Sequence, residues 1–113
     1  MPKGWPIPGL SPADCARHEA IEEAGVSGEI SSTSIGWFRY LKRCKNEELL
    51  PCKVEVFALE VSRQRRNWLE KHLREIRWCS VEEAVARVSE PGLRRLIARF
   101  AETLPTEDKV AAR

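Results

Sequence analysis

The stretch from Gly4 to Val26 constrains this chain more than any other. Gly4-Trp5-Pro6-Ile7-Pro8-Gly9 leads into a segment that ends His18-Glu19-Ala20-Ile21-Glu22-Glu23-Ala24-Gly25-Val26. Ser11 is placed to cap a helix, Pro12 suits its first position, and Asp14 sets a carboxylate near its positive end. Gly25 supplies the stop. The glycines and prolines upstream fix a tight path for the incoming loop. On the predicted helix, Glu19, Glu22 and Glu23 fall three and four residues apart and crowd one stripe, where like charges cost about 0.2–0.5 kcal/mol per pair. Ala13, Ala16, Ala20 and Ala24 occupy a neighbouring sector suited to close packing. A solvated acidic face accounts for three glutamates taken alone. The loop feeding directly into them favours a divalent cation, since Mg²⁺ is held by a couple of carboxylates, waters and substrate phosphates.

The rest of the chain reads as α+β. Residues about 34–42 and 51–62 are rich in β-branched and aromatic side chains, and Lys45–Glu48 suits a hairpin connection between them. Val54 to Val61 is apolar on both faces near Phe57, as in a strand covered on both sides. Ser80 and Glu83 form a capping box ahead of Ala84, Val85 and Val88. Ser89 and Pro91 are expected to open a last helix on which Leu93, Leu96, Ile97 and Phe100 recur at helical spacing. The tail from Pro105 to Arg113 is polar and expected to fray.

At 113 residues the chain is long enough for one domain with one core. A net charge of +2 is too mild to make nucleic acid the main partner. No apolar run approaches the ~20 residues that span a bilayer, and the first residues are not a signal peptide. Cys15, Cys44, Cys52 and Cys79 include no CxxC and no histidine at zinc-ligand spacing. Cys44 and Cys52 flank the hairpin, but four reduced thiols in a cytoplasmic protein is the favoured reading.

Gly4, Glu19, Glu22, Glu23, Gly25 and Val26 resemble the signature of the Nudix hydrolase family: G, five residues, E, seven residues, then R-E-U-x-E-E-x-G-U with U aliphatic. The register needs no gap. The Pro2-Lys3-Gly4-Trp5-Pro6 opening is similar to the bacterial branch of diphosphoinositol-polyphosphate and dinucleoside-polyphosphate hydrolases. Two positions depart: Leu10 replaces the first glutamate, and His18 replaces the arginine that braces the acidic cluster. An imidazole carries full charge only at lower pH, so the exchange implies a slower site with the same mechanism. Ile35–Tyr40, Pro51–Leu59 and Glu75–Trp78 with Ser80–Ala84 resemble the family's later strands and closing helix. The resemblance covers about residues 2–104. It implies a Nudix fold over residues 1–104, an α/β/α sandwich with a mixed sheet, followed by the tail 105–113. The family places two or more strands before the motif, so an N-terminally truncated domain is expected. A misassigned start is the first reading, with a real truncation or strands borrowed in a homodimer as the others.

The function implied is Mg²⁺-dependent cleavage, with Mn²⁺ as a substitute, of a diphosphate linkage in a small nucleoside or inositol polyphosphate joined to another group. In that reading Glu22 and Glu23 are metal ligands, and Glu19 is a ligand or the general base on the attacking water. The backbone carbonyl near Lys3 and Gly4 is a further oxygen ligand. Lys3 and Arg39 are candidate contacts to substrate phosphates, although ordinary surface charge explains each equally well. Glu70 or Glu75 could supply the family's additional glutamate, and His72 is a substrate contact or a loop residue. Trp5 and Trp37 could stack on a base, but core or rim packing is favoured. Lys42-Arg43-Lys45 and Arg63-Arg65-Arg66 could draw polyphosphates in, or be solvated loop charge. The competing reading is a non-catalytic remnant that binds a nucleotide or a protein.

Overall fold

The computed structural model describes residues 1–73 and 75–104, together with the backbone of residues 110–112. Helix α1 (Pro12–Ala24) forms for the local reasons given above. Ser11 Oγ accepts the Asp14 N–H at 3.1 Å, Pro12 opens the first turn, and Gly25 closes the helix at φ 66°. A side chain would be strained in that left-handed conformation. The chain turns at once into β1 (Val26–Ile30), so Ala20 and Ala24 meet Val26 in a small core that Leu59, Val61 and Ile76 complete. The alanine stripe is thus the face that lets α1 approach the strands.

Strand β2 (Gly36–Arg43) and strand β3 (Leu49–Val56) pair antiparallel, and β4 (Leu59–Gln64) returns to pair antiparallel with β1. The connection 44–48 is the expected hairpin turn, closed by Glu47 N–H to Cys44 O and Cys44 N–H to Glu48 O, each 2.9 Å. Between the two ladders, Ser31 N–H donates to Ala58 O at 2.9 Å and Ile35 N–H to Val56 O at 2.8 Å. Together β1–β2 and β3–β4 therefore make one long two-stranded ribbon, interrupted where 31–35 bulges opposite Phe57 and Ala58. The apolar run expected as a single strand over 51–62 is broken at those two residues.

Strand β5 (Arg77–Cys79) leads to helix α2 (Val81–Arg87), and Pro91 opens helix α3 (Pro91–Ala101). Half of the capping box forms: the Glu83 N–H donates to Ser80 Oγ at 3.2 Å, while the Glu83 carboxylate accepts from the Ser80 hydroxyl at 3.2 Å in place of its backbone N–H. At α3 the cap position belongs to Glu90, not Ser89, whose hydroxyl lies 3.2 Å from Glu90 Oε2. Leu93 and Leu96 bury against Phe38 and Val56, with Met1, Ile35, Tyr40, Val54, Val88 and Ile97 around them.

The protein is α+β as expected, but its described strands meet as three antiparallel pairs rather than one mixed sheet. The third pair joins β5 to β6 (Val110–Ala112). Residues 105–109 and 113 of the expected tail lie outside the described residues.

Candidate active site

The backbone of residues 2–5 passes over the C-terminal half of α1, and this crossing builds the site. The Lys3 N–H donates to Glu23 Oε2 at 2.7 Å, and Glu23 is only 2% exposed. Gly4 lies so close to Glu19 that a Cβ there would stand 2.4 Å from Glu19 Oε1, so only glycine leaves room for this carboxylate. Glu19 and Glu23, one turn apart on α1, bring their carboxyl groups within hydrogen-bonding reach of each other.

The electrostatics follow from that crowding. Burial, then the hydrogen bond and charge of Glu23, then the charge of Glu22, push the Glu19 carboxyl above its usual range, with His18 opposing. Glu22 points elsewhere: its Oε1 lies 3.0 Å from His18 Nε2, four residues earlier on the same helix. That contact carries full charge only while the imidazole is protonated. His18 therefore braces one member of the acidic cluster, and it braces Glu22 rather than the Glu19–Glu23 pair.

Among the described residues, no three His, Cys, Asp or Glu side chains gather so as to cage a metal by themselves. A Mg²⁺-like cation needs less, one or two carboxylates with waters and substrate phosphates completing its shell. Two carboxyl groups in mutual contact, one of them desolvated and both beside the Lys3–Gly4 backbone, match that demand. The residues fit a cation position at the Glu19–Glu23 pair, next to Glu22 on the same helix, with waters and substrate phosphates as its remaining ligands.

The other sequence candidates separate. Lys3 joins the site through its backbone, while its ammonium sits 5.5 Å from the Tyr40 ring centre. The loop carrying Glu70 docks on α1, where the Glu70 N–H donates to the Glu22 carbonyl at 3.1 Å. Glu75 and His72 are exposed. Arg39 follows a different course: it neighbours Tyr40 in β2, and consecutive strand residues face opposite ways, so it lies on the far side of the hairpin. Trp5 and Trp37 do not pack inside. They are 61% and 49% exposed, each with a lysine over its ring, Lys42 at 5.1 Å and Lys53 at 4.5 Å. The reading missed Trp68, whose ring fills the space beside Gly25, where a Cβ would stand 2.4 Å from Trp68 Cε3.

Known proteins share this arrangement of sequence. The chain is 30% identical to Nudix hydrolase 12, mitochondrial, of Arabidopsis thaliana over 113 residues, which cover 97% of this chain and 56% of that protein. It is 32% identical to Nudix hydrolase 16, mitochondrial, of the same plant over 84 residues (72% of this chain, 46% of that protein). It is 36% identical to the plant's Nudix hydrolase 4, also over 84 residues (74% and 39%). The chain thus spans about half the length of the curated relatives it matches. The NUDIX domain family model fits residues 1–100, and with Gly4, the glutamates of α1 and Gly25 all inside that span, the chain belongs to the Nudix family.

Proposed function

We propose that this chain is a Mg²⁺-dependent pyrophosphohydrolase, able to use Mn²⁺, that cleaves the diphosphate linkage of a small nucleoside or inositol polyphosphate. The observation that carries this reading is the Glu19–Glu23 carboxyl pair held against the Gly4 backbone, with Glu19 raised by burial and its two acidic neighbours. Such a pair is relieved by a proton or by a cation. Phosphoryl transfer asks the protein for positioning and charge neutralisation more than for covalent chemistry. The cation, when bound, offsets charge on the diphosphate and lowers the pKa of water.

The chain's own groups do the rest. Glu19, touching Glu23 and beside the Gly4 backbone, ligates the cation or accepts the proton of the attacking water as general base. Glu23, fixed by the Lys3 N–H, and Glu22, braced by His18, supply the oxygens that hold the cation, with the Gly4 backbone beside them. Glu70 enters from the loop docked on the Glu22 carbonyl.

Phosphate release from diadenosine polyphosphates and from inositol pyrophosphates, with and without Mg²⁺, tests this. Glu22→Gln should lower kcat by about 100-fold or more, the scale expected when a group stabilising transition-state charge is removed. Unchanged turnover in Glu22→Gln would refute the ligand assignment. The remnant reading draws on the lack of a three-ligand cage among the described residues, and it predicts nucleotide binding with no turnover. None of the four cysteines forms a disulfide among the described residues, which suits the reducing cytoplasm proposed here; the mitochondrial labels belong to the relatives. No described helix is long and apolar enough to cross a membrane.

A further inference from the structure

The junction of the hairpin with helix α3 holds a feature that hydrolysis at Glu19 does not use. A groove of about 850 Å³ runs along the junction of β2–β3 with helix α3, and its charged lining is Arg39, Lys53, Arg95 and Arg99. We propose that this groove is a second, metal-independent binding site for polyphosphate anions.

Two like-charge pairs converge there. Arg39 and Lys53 are direct partners in the β2–β3 ladder, where facing like charges destabilise a sheet. Arg95 and Arg99 stand one helical turn apart on α3, where like charges likewise repel. No carboxylate lines the groove, and among the described residues none of the four cations forms an ion pair. Glu55 lies across the ladder from Trp37 and shares the strand face of Lys53, yet it reaches neither basic residue of the hairpin. The compensation seen among the described residues is the exposed Trp37 ring, whose centre lies 4.5 Å from the Lys53 ammonium. Other basic side chains are used locally: Arg17 pairs with Asp14, and Arg94 donates to the Val88 carbonyl.

Four cations facing one concavity focus a positive potential into it. Three guanidiniums offer the planar fork that matches phosphate oxygens, and the volume falls in the range of about 300–1,000 Å³ common for small-molecule sites. A small ligand with several phosphates can bridge both pairs at once, which a single-charge anion cannot. The groove is separate from the acidic site, because neither Lys3, Gly4 nor any glutamate of α1 lines it.

Calorimetric titration of the whole chain with inorganic tripolyphosphate in EDTA buffer tests the proposal. Saturable binding is expected, weakened about tenfold or more in the Arg95→Gln/Arg99→Gln double variant, because two charge-assisted contacts are lost. Binding should be unchanged in Glu22→Gln and should fall with added KCl. ATP matching tripolyphosphate, or exceeding it until Trp37→Ala removes the excess, supports a groove that reads phosphates and tells whether a base takes part. The proposal is overturned by a folded protein that shows no saturable binding, or by affinity that survives the double variant. It is equally overturned by tighter binding of a single-stranded RNA or a polyglutamate peptide than of either phosphate compound. Should the double variant fail to fold, Lys53→Gln, at an exposed position, carries the same test.

Discussion

Gly4→Ala should separate catalysis from stability. Built on the present backbone, the new Cβ would stand 2.4 Å from Glu19 Oε1 and 2.5 Å from Cδ. Ordinary contact begins near 3.4 Å, so the carboxyl group must retreat by about 1 Å, a displacement that costs on the order of 100-fold in rate when it affects a reacting group. The fold should tolerate the change. Gly4 has no positive φ, and the obstructing atoms are the free end of a flexible side chain. Losing a glycine also restricts the unfolded chain, which favours folding by about 0.4–1 kcal/mol where the native backbone suits alanine. The expected result is a urea midpoint equal to or above that of the parent, kcat lower by about two orders of magnitude, and weaker Mn²⁺ affinity by calorimetry. A folded Gly4→Ala protein with kcat and Mn²⁺ affinity both within twofold of the parent would show that the Gly4–Glu19 approach does not matter to the site.

Three further outcomes follow from the same geometry. A carboxyl raised in the folded state adds stability that is complete below its unfolded value, near 4.5, and is lost as pH climbs through the raised value. Glu19→Gln should therefore flatten the pH dependence of the urea midpoint and add about 0.5 kcal/mol at pH 7 by removing two like-charge helix pairs; a parent-minus-variant difference that grows in the parent's favour with pH would contradict this. His18→Arg keeps the Glu22 brace charged at every working pH, so kcat at pH 8 should rise a few-fold with little change in stability, read from a pH–rate profile of both proteins. Gly25→Ala combines a left-handed backbone with a Cβ placed 2.4 Å from the Trp68 ring, and should cost about 2–4 kcal/mol in urea denaturation; a loss under about 1 kcal/mol would mean that Trp68 is not wedged there.

How much was legible depended on whether the signal was local. Ser11, Pro12 and Gly25 are caps read within one turn, so α1 could be drawn almost to the residue. The hairpin followed from composition, and the capping box from two residues three apart. Strand β1 left no such mark: Val26-Ser27-Gly28-Glu29-Ile30 has weak strand composition, Gly28 sits at a register shift, and the pairing with β4 comes from a segment 29 to 38 residues away. Phe57 and Ala58 looked like strand because periodicity cannot sense a bulge imposed from across the ladder. In the site, the helix stripe was visible, but its partition was not. Two i,i+4 pairs compete on α1, His18 with Glu22 and Glu19 with Glu23, and both form, so the three glutamates split into a braced one and a touching pair. Arg39 could not be sorted from Lys3 by sequence, because only the ladder register tells which side of β2 each faces.

The acidic site owes its shape to a seam. The small core under α1 and the core between the hairpin and α3 share no buried residue, and residues 1–5 stitch them together. Met1 packs on the Phe38 cluster, Lys3 spans the gap with its N–H on Glu23 and its ammonium over Tyr40, and Trp5 reaches Lys42. The Lys3 contact to Glu23 is made by backbone, so it survives substitution of the lysine side chain, whereas Gly4 cannot change without moving Glu19. Glycine, and not a charged residue, is therefore expected to be the member of the loop least tolerant of substitution. A carboxyl pair strained by its own charge stays in register only if something outside the helix holds it, and here a strap anchored in a different core does so. Loosening either core should therefore blunt the site before it unfolds the protein.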